Sequence, residues 1–111
     1  MSIIATMDLH VAPGSAPAAL AELDAILAET SLRDGFIDVT VIVDHADPEH
    51  IVLIEQWESL AHDTAYRAWR RSLPPNEAFA ALLIAPPALT HHDVARHVLP
   101  PRSSDNEGPI T

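Results

Sequence analysis

A chain of 111 residues with a formal charge of −10 and no cysteine is bounded before any motif is read. One domain fits the length; the acidic surplus repels a phosphate backbone or an anionic bilayer surface, and disulfides and thiolate chemistry are excluded. No apolar run would span a bilayer, and the start MSIIATMDLH lacks the basic lead and cleavage site of a signal peptide, so a cytoplasmic protein with neither nucleic-acid nor membrane partners is expected.

Residues Ile3–Val11 alternate as a strand, with Ile3, Ala5, Met7, Leu9 and Val11 on one face and Ile4, Thr6, Asp8 and His10 on the other. Pro13-Gly14 breaks the strand, and Ser15 is placed to cap a helix from Ala16 to about Glu29, where Leu20, Leu23 and Leu27 line one side. Asp34-Gly35 signals a turn. Phe36–Asp44 is rich in β-branched residues and reads as a second strand, with Ile37, Val39, Val41 and Val43 on one face and Phe36, Asp38, Thr40 and Ile42 on the other. Ala46–Glu49 turns the chain into a hairpin whose partner is Ile51–Trp57. Ser59 caps a second helix, Leu60 to about Ser72, which Pro74-Pro75 ends. Asn76 caps a short helix from Glu77 to about Ala85, and Ala88–Val98 reads as a last strand. The domain is placed at 1–98, and the Pro-, Ser- and Asp-rich segment 99–111 is expected to be a flexible tail.

This order predicts an α+β fold, a ferredoxin-like antiparallel four-stranded sheet with helices on one face. The other face would still carry large apolar groups, and a second copy of the chain is the simplest cover, giving a homodimeric α+β barrel.

The segment Ile51–His62, IVLIEQWESLAH, is the most informative of the chain. Glu55 and Trp57 lie two apart on a strand, so both project from the same face, one that is otherwise apolar. This run, with the hairpin before it and the alanine-rich helix after it, resembles the antibiotic biosynthesis monooxygenase (ABM) domain, nearest to its quinol monooxygenase branch. Ala12-Pro13-Gly14 before the first helix and Asp34-Gly35-Phe36 before the second strand support the resemblance, which spans roughly Ile3 to Ala85. It implies a dimeric α+β barrel that oxidises hydroquinones, anthrones or polyketide-like phenols with O2 and no cofactor. Relatives on the same fold degrade haem, isomerise sugars or bind small molecules, so the fold does not fix the reaction. This chain departs from the relatives in several places. Tyr66 stands where many have histidine; Met7 falls near an asparagine of the haem-degrading branch; Leu53 and Glu77 fall near an asparagine and an arginine of the anthrone-oxidising branch.

A cofactor-free oxygenase must deprotonate its substrate, hold the anion and exclude water. His62, Tyr66, Trp69 and Leu73 share one helix face by spacing, with Asp63, Arg67, Arg70 and Arg71 assigned to the opposite side. Against Trp57 this makes an aromatic-walled pocket. His62 is the candidate base, Tyr66 a donor to a substrate oxygen, and Trp57 a donor or stacking surface; Glu55, Leu53, Met7 and Trp69 are candidate substrate-binding residues. The structural alternatives are an aromatic core, Trp57 as a plug with its N–H on Glu55, and a half-exposed His62. His91, Asp93 and His97 share a face of the last strand, but His91 and His97 lie roughly 20 Å apart there, so they do not make one metal site. There is no phosphate-cradling glycine loop, nucleophile elbow or His-Glu-x-x-His, so no cofactor or metal is expected. Two other functions remain open: an isomerase or cyclase on a polyketide-like intermediate, and a non-catalytic small-molecule binder.

Overall fold

The computed structural model describes residues 2–99. In chain order the elements are β1 (Ile3–His10), α1 (Ala16–Thr30), β2 (Phe36–Val43), β3 (His50–Trp57), α2 (Leu60–Ser72), α3 (Glu77–Ala80) and β4 (Ala88–Asp93). The strands form one antiparallel sheet in the order β2-β3-β1-β4, with the helices on one face, which is the ferredoxin-like arrangement expected. The expected tail lies, from residue 100 onward, outside the described residues.

Alternation in the two central strands decides what is buried. On the helix side of β1 and β3, Ile3, Ala5, Leu9, Ile51, Leu53, Glu55 and Trp57 are all buried. They divide into two cores. Leu9, Ile51 and Leu53, with Val11, pack under Ala19 and Leu23 of α1, whereas Ile3, Ala5 and Trp57 pack under Tyr66 of α2. The two helices thus rest on different ends of the sheet, with a space between them.

Four expectations are corrected. Ile37 is an extra residue in β2: Phe36 pairs with Trp57 and Asp38 with Gln56, so the ladder skips Ile37. The bulge turns Phe36 to the helix side, where its ring meets Trp57 edge-on at 5.6 Å, and leaves Ile37 45% exposed. Ser15 caps α1 with no side-chain hydrogen bond and lies in the helical region. Pro17, at the second helical position, lacks the N–H that a cap would have accepted. The third helix stops at Ala80 because Leu83 bridges Val11, while Ala12 N–H donates to Leu82 O and Ile84 N–H to His10 O. Finally, β4 ends at Asp93, where its pairing with Ile3 exhausts β1, so His97 is not on the strand.

The face away from the helices is mixed. Ile4, Val52 and Ile54 are half-buried and Ile42 is 43% exposed, among Thr6, Thr40, Thr90, Asp8, Gln56 and His92.

Candidate functional site

Because α1 and α2 sit over different cores, a cavity of about 260 Å³ opens between them above the centre of the sheet. Met7, Leu9 and Leu53 make its floor; Leu23, Ile26 and Leu27 of α1 and Phe79 of α3 make apolar walls. Polar groups come from β3 and α2 alone: Glu55, Tyr66, Arg67, Arg70 and Arg71. An apolar chamber with a few convergent polar groups is the usual form of a small-molecule site. A second cavity, about 350 Å³, shares Ile26 and Arg70 with the first and is completed by Glu29, Leu73, Pro74, Pro75 and Asn76.

Glu55 is 2% exposed on an apolar strand face, and a buried carboxylate needs partners. Trp57 Nε1–H donates to its Oε1 at 3.0 Å, the pairing that the two-residue spacing anticipated. Arg67 Nη2 donates to the same oxygen at 2.6 Å and to Asp63 Oδ1 at 2.9 Å. Asp63 is fully buried, and its Oδ2 lies 2.6 Å from His91 Nε2 on β4. A continuous polar chain thus runs from the indole through two carboxylates and a guanidinium to the sheet edge. Arg67 Nε is buried with no partner among the described residues.

A second network closes the cavity on the α1 side. Tyr66 Oη lies 2.7 Å from Thr30 Oγ1 and accepts from Arg70 Nε at 2.9 Å. Arg70 Nη2 donates to Ile26 O at 2.8 Å and to Thr30 Oγ1 at 3.1 Å, and Nη1 reaches Glu29 Oε1 at 3.2 Å. Burial works against the Arg70 charge, but the Tyr66 hydroxyl and the Glu29 carboxylate outweigh it and hold the guanidinium above its ordinary pKa.

The structure brings four of the expected site residues together on this cavity: Met7, Leu53, Glu55 and Tyr66. The other three lie elsewhere. Trp57 is fully buried, tilted against Tyr66 at 4.8 Å, and acts on the cavity through Glu55. Trp69 lies on the outer flank of α2, with Arg33 4.0 Å and Arg70 4.9 Å from its ring. His62 lines a separate hollow of about 70 Å³ with Arg33, Asp34, Ala65 and Tyr66. Its Nδ1 is 2.7 Å from the capping Ser59 Oγ and its ring lies on Gly35, where a Cβ would stand 2.2 Å from His62 Cγ. Gly35 also has a φ of +83°, so glycine is required there twice over.

Asp63, Arg67 and Arg70 do not lie opposite Tyr66. Asp63 and Arg70 stand three and four residues from it, the same spacings that tie Trp69 and His62 to it, and the helix buries this polar flank. The i, i+4 pair Asp63–Arg67 was the available signal. Thr30 and His91 join from distant segments, with no local mark. Among the described residues, no group of three or more His, Asp or Glu is arranged to hold a metal, and no helix is long and apolar enough to cross a membrane.

A ferredoxin-like α+β domain with a helix-side cavity defines the class. The chain belongs to the antibiotic biosynthesis monooxygenase family, whose model matches residues 2–82. An antibiotic biosynthesis monooxygenase-like protein from Deinococcus radiodurans superposes with a TM-score of 0.71 at 21% identity, covering 90% of this chain and 99% of that one. A Pseudomonas aeruginosa protein gives 0.66 at 24% identity, covering 85% and 95%. Another antibiotic biosynthesis monooxygenase gives 0.66 at 18% identity, covering 85% and 99%. At such identities the likeness speaks for the fold alone. No curated protein sequence matches the chain.

Proposed function

We propose that the chain is a cofactor-independent monooxygenase that oxidises an electron-rich hydroquinone, anthrone or polyketide-like phenol with O2. Family membership supports the reaction class. The observation that carries the reading is the cavity itself: an apolar chamber of about 260 Å³ between sheet and helices, with a carboxylate, a phenol and guanidinium groups on one wall. Triplet O2 reacts with a closed-shell aromatic once the aromatic has been made an electron-rich anion. The enzyme must therefore loosen a substrate O–H, stabilise negative charge and keep bulk water away. Glu55 can draw on the proton, the arginines supply positive charge, and Met7, Leu9, Leu53 and Leu27 hold the ring. Tyr66 braces Arg70 at the cavity wall. A second copy of the chain covers the open sheet face, so the working unit is a homodimer.

Oxygen uptake by the pure protein against a panel of hydroquinones and anthrones tests this. The expected outcome is substrate-dependent O2 consumption above the rate of spontaneous oxidation. Ligand retention with no uptake would favour a second reading, a small-molecule binder. The saturated bonding of the Tyr66 hydroxyl supports that alternative.

A further inference from the structure

The charged groups around the helix-side cavity balance one another, with one exception. Arg67 Nη2 donates to Glu55 Oε1 at 2.6 Å and to Asp63 Oδ1 at 2.9 Å. Arg70 Nη1 reaches Glu29 Oε1 at 3.2 Å, and its Nε and Nη2 go to Tyr66, Thr30 and Ile26 O. Arg71 lines the same cavity, yet its side chain makes no ion pair or hydrogen bond among the described residues. Burial falls along this wall: Glu55 is buried, Arg67 half-buried and Arg71 exposed. Arg71 therefore marks the open end. An exposed arginine that lines an apolar chamber does so with its stem and keeps its head group in the water at the rim.

The last turn of α2 suits any cation, because the helix dipole is negative there, and Arg70 occupies that turn as well. The dipole alone does not call for a bare charge beside an apolar chamber. In a chain of net charge −10, an unpaired guanidinium at a cavity mouth is a local reversal of sign. It attracts the kind of guest that the rest of the surface repels. A guanidinium fork matches a carboxylate in shape as well as in charge. At the inner end Glu55 turns away a second negative charge, while Met7, Leu9 and Leu53 offer an apolar floor to a ring. From Arg67, beside Glu55, to Arg71 is four residues of helix, about 6 Å, which suits the long axis of a two-ring aromatic. We infer that Arg71 forms an anion subsite at the cavity mouth, and that the guest is an aromatic carboxylic acid bound ring-first with its carboxylate on Arg71. The inference rests on the proposed use of this cavity for an aromatic substrate and adds the acid group to it.

The test is calorimetric binding of 2-naphthoate and 2-naphthamide. The two probes share a shape, differ in charge and carry no phenol to oxidise, so turnover does not enter. The natural chain is expected to bind naphthoate about three- to fivefold more tightly than the amide, the size of one exposed ion pair. Arg71→Gln should bring the two affinities together by weakening naphthoate alone, and Arg71→Glu should favour the amide. A melting curve checks that both variants fold, as the exposure of Arg71 leads one to expect. Equal affinities in the natural chain, or a preference for naphthoate that survives Arg71→Gln, overturn the subsite and leave the oxygenase reading intact. Binding of neither probe also overturns it, and the oxygen-uptake panel then decides the oxygenase reading by itself.

Discussion

His50 sits where two carboxylates and a second imidazole meet. Its Nε2 is 2.7 Å from Asp8 Oδ1, its Nδ1 is 3.3 Å from Asp44 Oδ2, and its ring stacks on His10 at 4.4 Å. Hydrogen bonds to Asp8, then to Asp44, raise its pKa above the ordinary 6.5. The Ala46 N–H first, and His50 second, hold Asp44 below 3.8. The signs follow from linkage. A raised histidine stabilises the fold fully below 6.5 and loses that contribution as pH climbs through its folded value. A depressed aspartate contributes above 3.8 and loses its share as pH falls through its folded value. The cluster therefore stabilises most in the mildly acidic window between them. His50→Gln is expected to lower Tm more at about pH 5.5 than at about pH 8.5. An equal loss at both would show that the imidazole charge contributes nothing.

At the scale of the element, caps separate what spacing can reveal from what it cannot. Ser59 Oγ accepts from His62 N–H at 3.2 Å and Asn76 Oδ1 from Phe79 N–H at 3.0 Å, both at the positions read from sequence. The Ser15 hydroxyl accepts nothing, because Pro17 occupies the turn it would serve, and only the Ser15 carbonyl takes the Ala19 N–H. Ser59→Ala should cost about 1 kcal/mol in urea unfolding, and Ser15→Ala should stay within about 0.5 kcal/mol. Helices and hairpin were legible because apolar periodicity and turn residues report local geometry. The bulge at Ile37 was not, because a run of β-branched residues looks the same with one residue to spare. Within the site, Glu55 and Trp57 were legible from their spacing of two. Read from sequence, Arg67 and Arg70 go to the side of the helix opposite Tyr66, and only tertiary partners on β3 and α1 show that they share its cavity wall. His91 reaches Asp63 across 28 residues of sequence, a distance no pattern spans.

At the scale of the whole molecule, the open sheet face is the surface on which the proposed dimer would form. Ile54 pairs with Thr6 on one side and Thr40 on the other, near the middle of that face. Ile54→Glu would place like charges opposite each other across the proposed two-fold. Sedimentation should show a dimer for the natural chain and a monomer with unchanged secondary structure for the variant; a natural chain that sediments as a monomer removes the barrel. On the helix side, Ile26 and Arg70 belong to both large hollows. The partition between them is therefore a single layer of side chains, and it hangs from α1 and α2 without involving the sheet. Arg70 is tied into that layer by its hydrogen bonds to Tyr66, Thr30, Glu29 and Ile26 O, whereas the Ile26 side chain is held by packing alone, so shortening Ile26 should join the chambers into one gallery and lengthen the guest that the proposed site admits.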